Sequence, residues 1–206
     1  MSDPSELDLA GLSLSRIASL AEGCTACELY EDATQVVFGD GPQSASLMLL
    51  GEQPGDQEDR AGEPFVGPAG DLLDAALIEA GVDRGEVYIT NAVKHFRFEE
   101  KGKRRLHKKP THRHVSACRP WLEAELAKVG PEVIVTLGAS AAQSILGRSV
   151  RVMSDHGASV EWEQYLVVPT IHPSFVLRSS GDRARRDELF AMLVADLKRA
   201  TELTSG

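Results

Sequence analysis

Aromatic residues are scarce: Phe, Tyr and Trp make up 5% of the 206 positions. That shortage argues against a surface built on ring stacking, such as a paratope-like or carbohydrate-binding face. No apolar run approaches the roughly 20 residues that a membrane-spanning helix needs. The opening segment, MSDPSELDLAGLSLSRIASL, lacks both a basic start and a signal-type apolar stretch. The expectation is a soluble, cytoplasmic protein without membrane contact. Cysteine is limited to Cys24, Cys27 and Cys118, an awkward number for disulfides. With two of them spaced as CTAC, metal ligation or redox chemistry is expected before structural bridges. Positive charge is also in deficit, with 22 Lys and Arg against 31 Asp and Glu for a formal net charge of −9.

What the chain does have is an alternation of short apolar runs and helical patterns. Its length suits one α/β domain spanning 1–206, large enough to bury a core without disulfides. Buried strands are expected at 46–52, 87–90, 132–138 and 165–173. Helices are expected at 12–23, 67–82, 115–129, 139–147 and 183–203. In the third of these, Pro120 is tolerable only near a helix start or at a kink. A long polar loop fills 91–112. The alternation predicts a parallel sheet covered by helices on both faces. In such sheets ligands bind beyond the carboxyl ends of the strands. GEQPGD follows the first strand, NAVKH the second and HPS the fourth, which nominates one site.

The stretch 51–70, GEQPGDQEDRAGEPFVGPAG, is dense in glycine and proline, with Gly51 and Gly55 among five glycines. Glycine lets backbone turn sharply or approach a ligand closely. The stretch matches neither G-x-G-x-x-G nor the lysine-containing phosphate loop. Phe65 is its only aromatic, a core residue or a platform for a planar base. Asn91 offers a donor and an acceptor side by side, the complement of the N3–H and O4 edge of uracil, or else it turns a loop. His172, at the mouth of the fourth strand, is a structural histidine or a donor to a carbonyl oxygen on which charge develops. The three cysteines need a fourth metal ligand, and His95, His112 and His114 compete for the place. Spacing alone leaves zinc and iron–sulfur open.

Against the acidic background, KGKRRLHKKP (101–110) stands out. Lys94, Arg97, Lys101, Lys103, Arg104, Arg105, Lys108, Lys109 and Arg113 are nine of the 22 basic residues. A charge run is ordinarily a solvated loop, but a lone basic stripe on an acidic body is also the footprint of a phosphate backbone. His107 lies in that stripe. Its cationic neighbours disfavour the protonated ring, and a neutral imidazole beside an electrophilic carbon is a nucleophile.

Together CTAC (24–27), GEQPGD (51–56), EPFVGPAG (63–70), TNAVKH (90–95), KRRLH (103–107), ACRPWL (117–122), VIVTLGASAA (133–142) and IHPS (171–174) resemble the uracil-DNA glycosylase superfamily. The resemblance covers most of the chain, in order. It is nearest to the iron–sulfur branch around family 4, and within it to the UdgX group. The hallmarks of that group are a Gln after the Glu of the first motif, here Gln53, and an inserted basic loop, here about 98–112. That loop reads K-R-R-I-H in the group, and Leu106 replaces the Ile here.

The resemblance implies a three-layer α/β/α fold around a four-stranded parallel sheet. It implies uracil-containing DNA as partner, single strands preferred, a monomer, and a [4Fe–4S] cluster on Cys24, Cys27, His95 and Cys118. A flipped uracil would stack on Phe65 and be read by Asn91. Gly51, Gly55 and the segment Gln53 to Asp56 would line the pocket, and His172 would stabilise the leaving anion. Lys103, Arg104, Arg105, Lys108 and Arg178 would contact DNA, Arg104 and Arg105 also seating the loop. In the UdgX group the loop histidine, here His107, captures C1′ of the sugar and leaves a covalent adduct, with Glu52 orienting the imidazole. Two other readings stand beside this one: a turnover glycosylase that merely carries the loop, and a non-enzymatic metal-containing module that binds nucleic acid or senses redox state.

Overall fold

The computed structural model describes residues 4–179 and 181–204. Its centre is a five-stranded sheet in the order β2-β1-β5-β7-β6, formed by Leu47–Gly51 (β1), Val87–Asn91 (β2), Val133–Leu137 (β5), Val160–Trp162 (β6) and Tyr165–Thr170 (β7). A separate antiparallel hairpin is made of Phe98–Lys101 (β3) and Arg104–His107 (β4). The helices are Leu14–Ala21 (α1), Asp56–Ala61 (α2), Pro68–Ala80 (α3), His112–Val129 (α4), Ala139–Leu146 (α5), Val152–Asp155 (α6), Pro173–Arg178 (α7) and Arg183–Thr204 (α8). None of the described helices is long and apolar enough to cross a membrane.

Alternation along each strand builds the two faces of the sheet. Leu47 and Leu49 of β1 join Val133 and Val135 of β5 in the core beneath α3 and α8. Met48 and Leu50 point the other way, into a second core with Leu122, Leu126 and Ala141 from α4 and α5. The strands are buried along nearly their whole length, as expected for a sheet covered on both sides. This is the three-layer α/β/α class read from the alternation.

Three local expectations need correction. The sheet has five strands and is mixed, because β6 pairs antiparallel with β7, Trp162 opposite Tyr165. A three-residue edge strand returning through a tight turn at Glu163 (φ 53°) is too short to leave a period. The polar loop 91–112 contains the hairpin, closed by a two-residue turn with Gly102 at φ 62°. Finally, α4 begins at His112 and runs through Pro120. Proline cannot donate to the ladder, but Cys118, Trp121 and Leu122 on either side are buried, and that packing holds the helix together.

Candidate active site

The carboxyl ends of β1, β2, β5 and β7 open into one cavity of about 580 Å³. It is lined by Glu52, Gln53, Pro54, Gly55, Glu58, Phe65, Asn91, His107, Ser140, His172, Ser174 and Arg178, among others. Parallel strands place all these ends on one side of the sheet.

The floor is built around two glycines. A methyl group on Gly51 would sit 2.2 Å from Asn91 Oδ1 and 2.8 Å from Phe65 Cζ, so only glycine lets these side chains converge over the end of β1. Gly70, in α3, would strike the Phe65 carbonyl at 1.8 Å. Phe65 itself holds φ 55°, a left-handed conformation that costs a bulky residue of order 1–3 kcal/mol. Its buried ring lies 6.0 Å from that of His172. Asn91 is 2% exposed, yet its buried Oδ1 accepts no hydrogen bond among the described residues. Such orphans carry a desolvation penalty of about 1–3 kcal/mol and are rare enough to point to function.

His172 is the N-cap of α7. Its Nδ1 accepts from the Ser174 amide at 3.1 Å and lies 2.9 Å from Ser174 Oγ. Arg178 Nη1 donates to that same Oγ at 3.0 Å, which turns the hydroxyl proton toward Nδ1. The ring proton therefore resides on Nε2. Burial pulls the imidazole down to about 4, with Arg178 and then His107 acting in the same direction. At neutral pH His172 is an uncharged N–H donor.

The hairpin contributes the other histidine. His107 ends β4 opposite Phe98, and its Nε2 lies 3.6 Å from Glu52 Oε1. Its side chain is 51% exposed. Its pKa lies below the usual imidazole value, chiefly through desolvation, with Glu52 opposing and Arg178 assisting. Arg105 anchors the hairpin. Its guanidinium bonds Asp56 and the fully buried Asp59, donates to Thr34 Oγ1 at 3.2 Å, and lies over Phe98 at 4.9 Å. Gln53 closes the hairpin's base: Nε2 donates to the carbonyls of Arg97 (3.1 Å) and Lys108 (3.2 Å), and Oε1 accepts from the Arg97 amide.

The predicted residues thus divide. Glu52, Gln53, Gly55, Phe65, Asn91, His107, His172 and Arg178 line one cavity, and Gly51 shapes its floor. Asp56 does not line it, because its carboxylate is turned to Arg60 and Arg105. Gln53 borders the cavity but spends its amide on the hairpin. Arg105, expected on DNA, is committed to Asp56 and Asp59. Lys108 pairs with Glu99 on the surface, while Lys103 and Arg104 are exposed.

Sequence reasoning missed Glu58, Ser140 and Ser174. The buried Glu58 carboxylate accepts from the Gly55 amide at 3.1 Å and the Gly67 amide at 2.9 Å, pinning the glycine-rich stretch at two points. The spacing of Gly55 and Glu58 is that of a capping box, a signal present in the sequence.

Cys24, Cys27 and Cys118 are free and buried. Trp121 Nε1 donates to Cys24 Sγ at 3.2 Å and the Lys94 amide to Cys118 Sγ at 3.5 Å. Desolvation first, and then Cys27 and Cys24, push the Cys118 thiol up to about 12, against the Lys94 amide. His95 is buried and its Nδ1 has no hydrogen-bond partner among the described residues. No group of three or more His, Cys, Asp or Glu side chains is arranged to hold a metal ion among the described residues.

The family model of the Uracil DNA glycosylase superfamily matches residues 38–198. A type-4 uracil-DNA glycosylase of Thermotoga maritima is 36% identical over 186 residues, 89% of this chain and 91% of that protein. The type-4 enzyme of Archaeoglobus fulgidus is 33% identical over 199 residues, 93% of each chain. That of Pyrobaculum aerophilum is 33% identical over 189 residues, 88% of this chain and 93% of the relative.

Proposed function

The chain belongs to the uracil-DNA glycosylase superfamily, and from that premise we propose that it excises uracil from single-stranded DNA and captures the resulting sugar on His107. The observation that carries the base specificity is Asn91. Its buried, unpartnered Oδ1 lies in a cavity bordered by Phe65 and His172, where it would accept the N3–H of a base stacked on the phenyl ring. As the glycosidic bond breaks, negative charge gathers on the base. The neutral His172 Nε2–H donates to it without a change of protonation, and the cap through Nδ1 holds the ring still.

The sugar is left as an electron-poor C1′. Glu52 stabilises that cation electrostatically and orients the His107 imidazole 3.6 Å away. The imidazole lone pair forms the bond to C1′, and its ring proton passes to a base, for which Glu52 is placed. Held at about 3–3.5 Å, a nucleophile outruns water through effective concentration. The depressed pKa of His107 keeps the lone pair available at neutral pH.

Cys24, Cys27, Cys118 and His95 would hold an iron–sulfur cluster. Their donor set is soft, the sulfurs already accept N–H hydrogen bonds of the kind that tune such clusters, and the His95 nitrogen is buried without a partner. Cys27 and Cys24 both act electrostatically on the Cys118 thiol, so the three sulfurs are neighbours. The cluster's contribution would be structural, tying the segment around Cys24 to α4 and to the end of β2. A visible absorbance band with iron in elemental analysis tests this; zinc alone would refute it.

The function is tested by incubating the protein with a uracil-containing single strand and a uracil-free control, then running a denaturing gel. A shifted protein–DNA band with the uracil strand alone is expected. Free abasic product without the band would leave a turnover glycosylase. Binding indifferent to uracil, with no excision, would leave a non-enzymatic module.

A further inference from the structure

A second cavity, of about 490 Å³, shares the Glu52 and Ser140 wall with the first. It lies between the start of α4, α5 and the chain leaving the hairpin, and nothing in the proposed chemistry uses it. Its lining carries the cations Lys109 and Arg119 together with His112, and among the described residues Glu52 is its only carboxylate. That local balance is opposite in sign to the net charge of the chain. Arg119 is partly engaged, donating to Glu123 and to the Ser144 carbonyl. Lys109 and His112 are exposed, and the Lys109 ammonium makes no ion pair among the described residues. The first turn of α4 adds backbone amides at the same place, carrying partial positive charge. Beside the cations are apolar patches from Ala92, Pro110 and Val115.

We propose that this second cavity receives the nucleotide next to the excised uridine, its phosphate on Lys109 and His112 and its base against the apolar wall. The reasoning rests on the glycosylase reading above. Glu52 and Ser140 line both cavities, so a strand whose sugar lies against Glu52 in the first has the second as neighbouring space to continue into. Basic and apolar side chains lining one cavity match one linking phosphate and one base. The volume is within the range that takes a small ligand. The enzyme would then have a preference for a neighbour on one side of the uridine only.

Excision rates are measured on short single strands in which the uridine carries a neighbour on its 5′ side only or its 3′ side only. In each, the linking phosphate is either charged or a neutral methylphosphonate. Wild type is compared with Lys109→Ala/His112→Ala and with Gln143→Trp, which puts a bulky ring at an exposed position lining the second cavity. A charged neighbour on one side should accelerate the wild type about tenfold, the size of one charge-assisted contact. Both variants, and the neutral linkage, should abolish that acceleration. Strands lacking that neighbour should react equally fast with all three proteins, whose unfolding temperatures should agree. If neither neighbour accelerates the wild type, or if the variants slow every strand by the same factor, the assignment of this cavity is wrong. If the wild type releases uracil from no strand at all, the glycosylase reading fails, and this inference with it.

Discussion

The β7–α7 corner and the β3–β4 hairpin each bring one histidine to the same cavity, and they hold it by different means. His172 is locked from behind: its Nδ1 is the cap of a helix, and Arg178 orients the capping hydroxyl. His107 is half exposed at the end of a hairpin strand, and its place depends on an arginine and a glutamine some way off. The difference fits the roles proposed for the two rings. A donor to a leaving anion gains from a fixed position and a fixed charge. A nucleophile that acts after the bond has broken needs access to the sugar, which a buried, capped ring would not have.

His107→Ser should have the largest effect. The denaturing gel should lose the shifted band entirely while uracil release continues, because the base-holding residues are untouched. Loss of both would show that the hairpin histidine also assists bond cleavage. Next in size is His172→Ala, which removes the proposed donor to the leaving group. Single-turnover excision should fall by about 10²–10³, the usual loss for one such donor, with adduct formation falling in step.

Arg105→Ala probes how the hairpin is seated. It leaves the Asp59 carboxylate buried without its cation, a change that costs about 3–5 kcal/mol and should show as a lowered unfolding temperature. The adduct-to-excision ratio should fall as well. Asp56→Asn, which breaks only the more exposed arm of the same network, should cost about 1 kcal/mol or less.

The smallest effect is on pH. The two histidines both titrate below the ordinary imidazole value, but His172 is pulled all the way to about 4. Protonation of His107 removes its lone pair, so free abasic product should rise relative to adduct as pH falls below neutral. The stability that His172 lends by staying neutral is fully present above its unfolded value near 6.5. It is lost as pH falls toward 4, because the unfolded chain binds the proton first. A denaturation series over pH 7 to 4 should show that decline, on the order of 2–3 kcal/mol, and His172→Asn should flatten it.

Much of this was legible in the sequence. Runs such as VIVTL (133–137) and LMLLG (47–51) are buried on both faces, so their apolar content marks them as central strands. Glycine and asparagine at strand ends marked the floor of the cavity. Three features resisted for physical reasons. β6 is too short to leave a period. α4 passes through Pro120 because burial on both sides outweighs one missing hydrogen bond. Asp56 and Arg105 looked like residues for a ligand because charge composition cannot tell a side chain that meets DNA from one that meets another side chain. Their mutual pairing is long-range and visible only in the fold. Gln53 is the intermediate case: it was assigned to the right cavity, but its amide is spent on the hairpin backbone.

The two-residue turn at Gly102 and Lys103 gives the hairpin a property of its own. Side chains in a ladder alternate faces with a period of two, and Phe98 opposite His107 is the pair that directs the imidazole to Glu52. Lengthening or shortening that turn by one residue would shift the register and turn His107 to the other face, with every catalytic side chain still encoded. If His107 captures the sugar as proposed, loop length becomes a chemical determinant, able by itself to separate a protein that marks uracil permanently from one that cuts and departs.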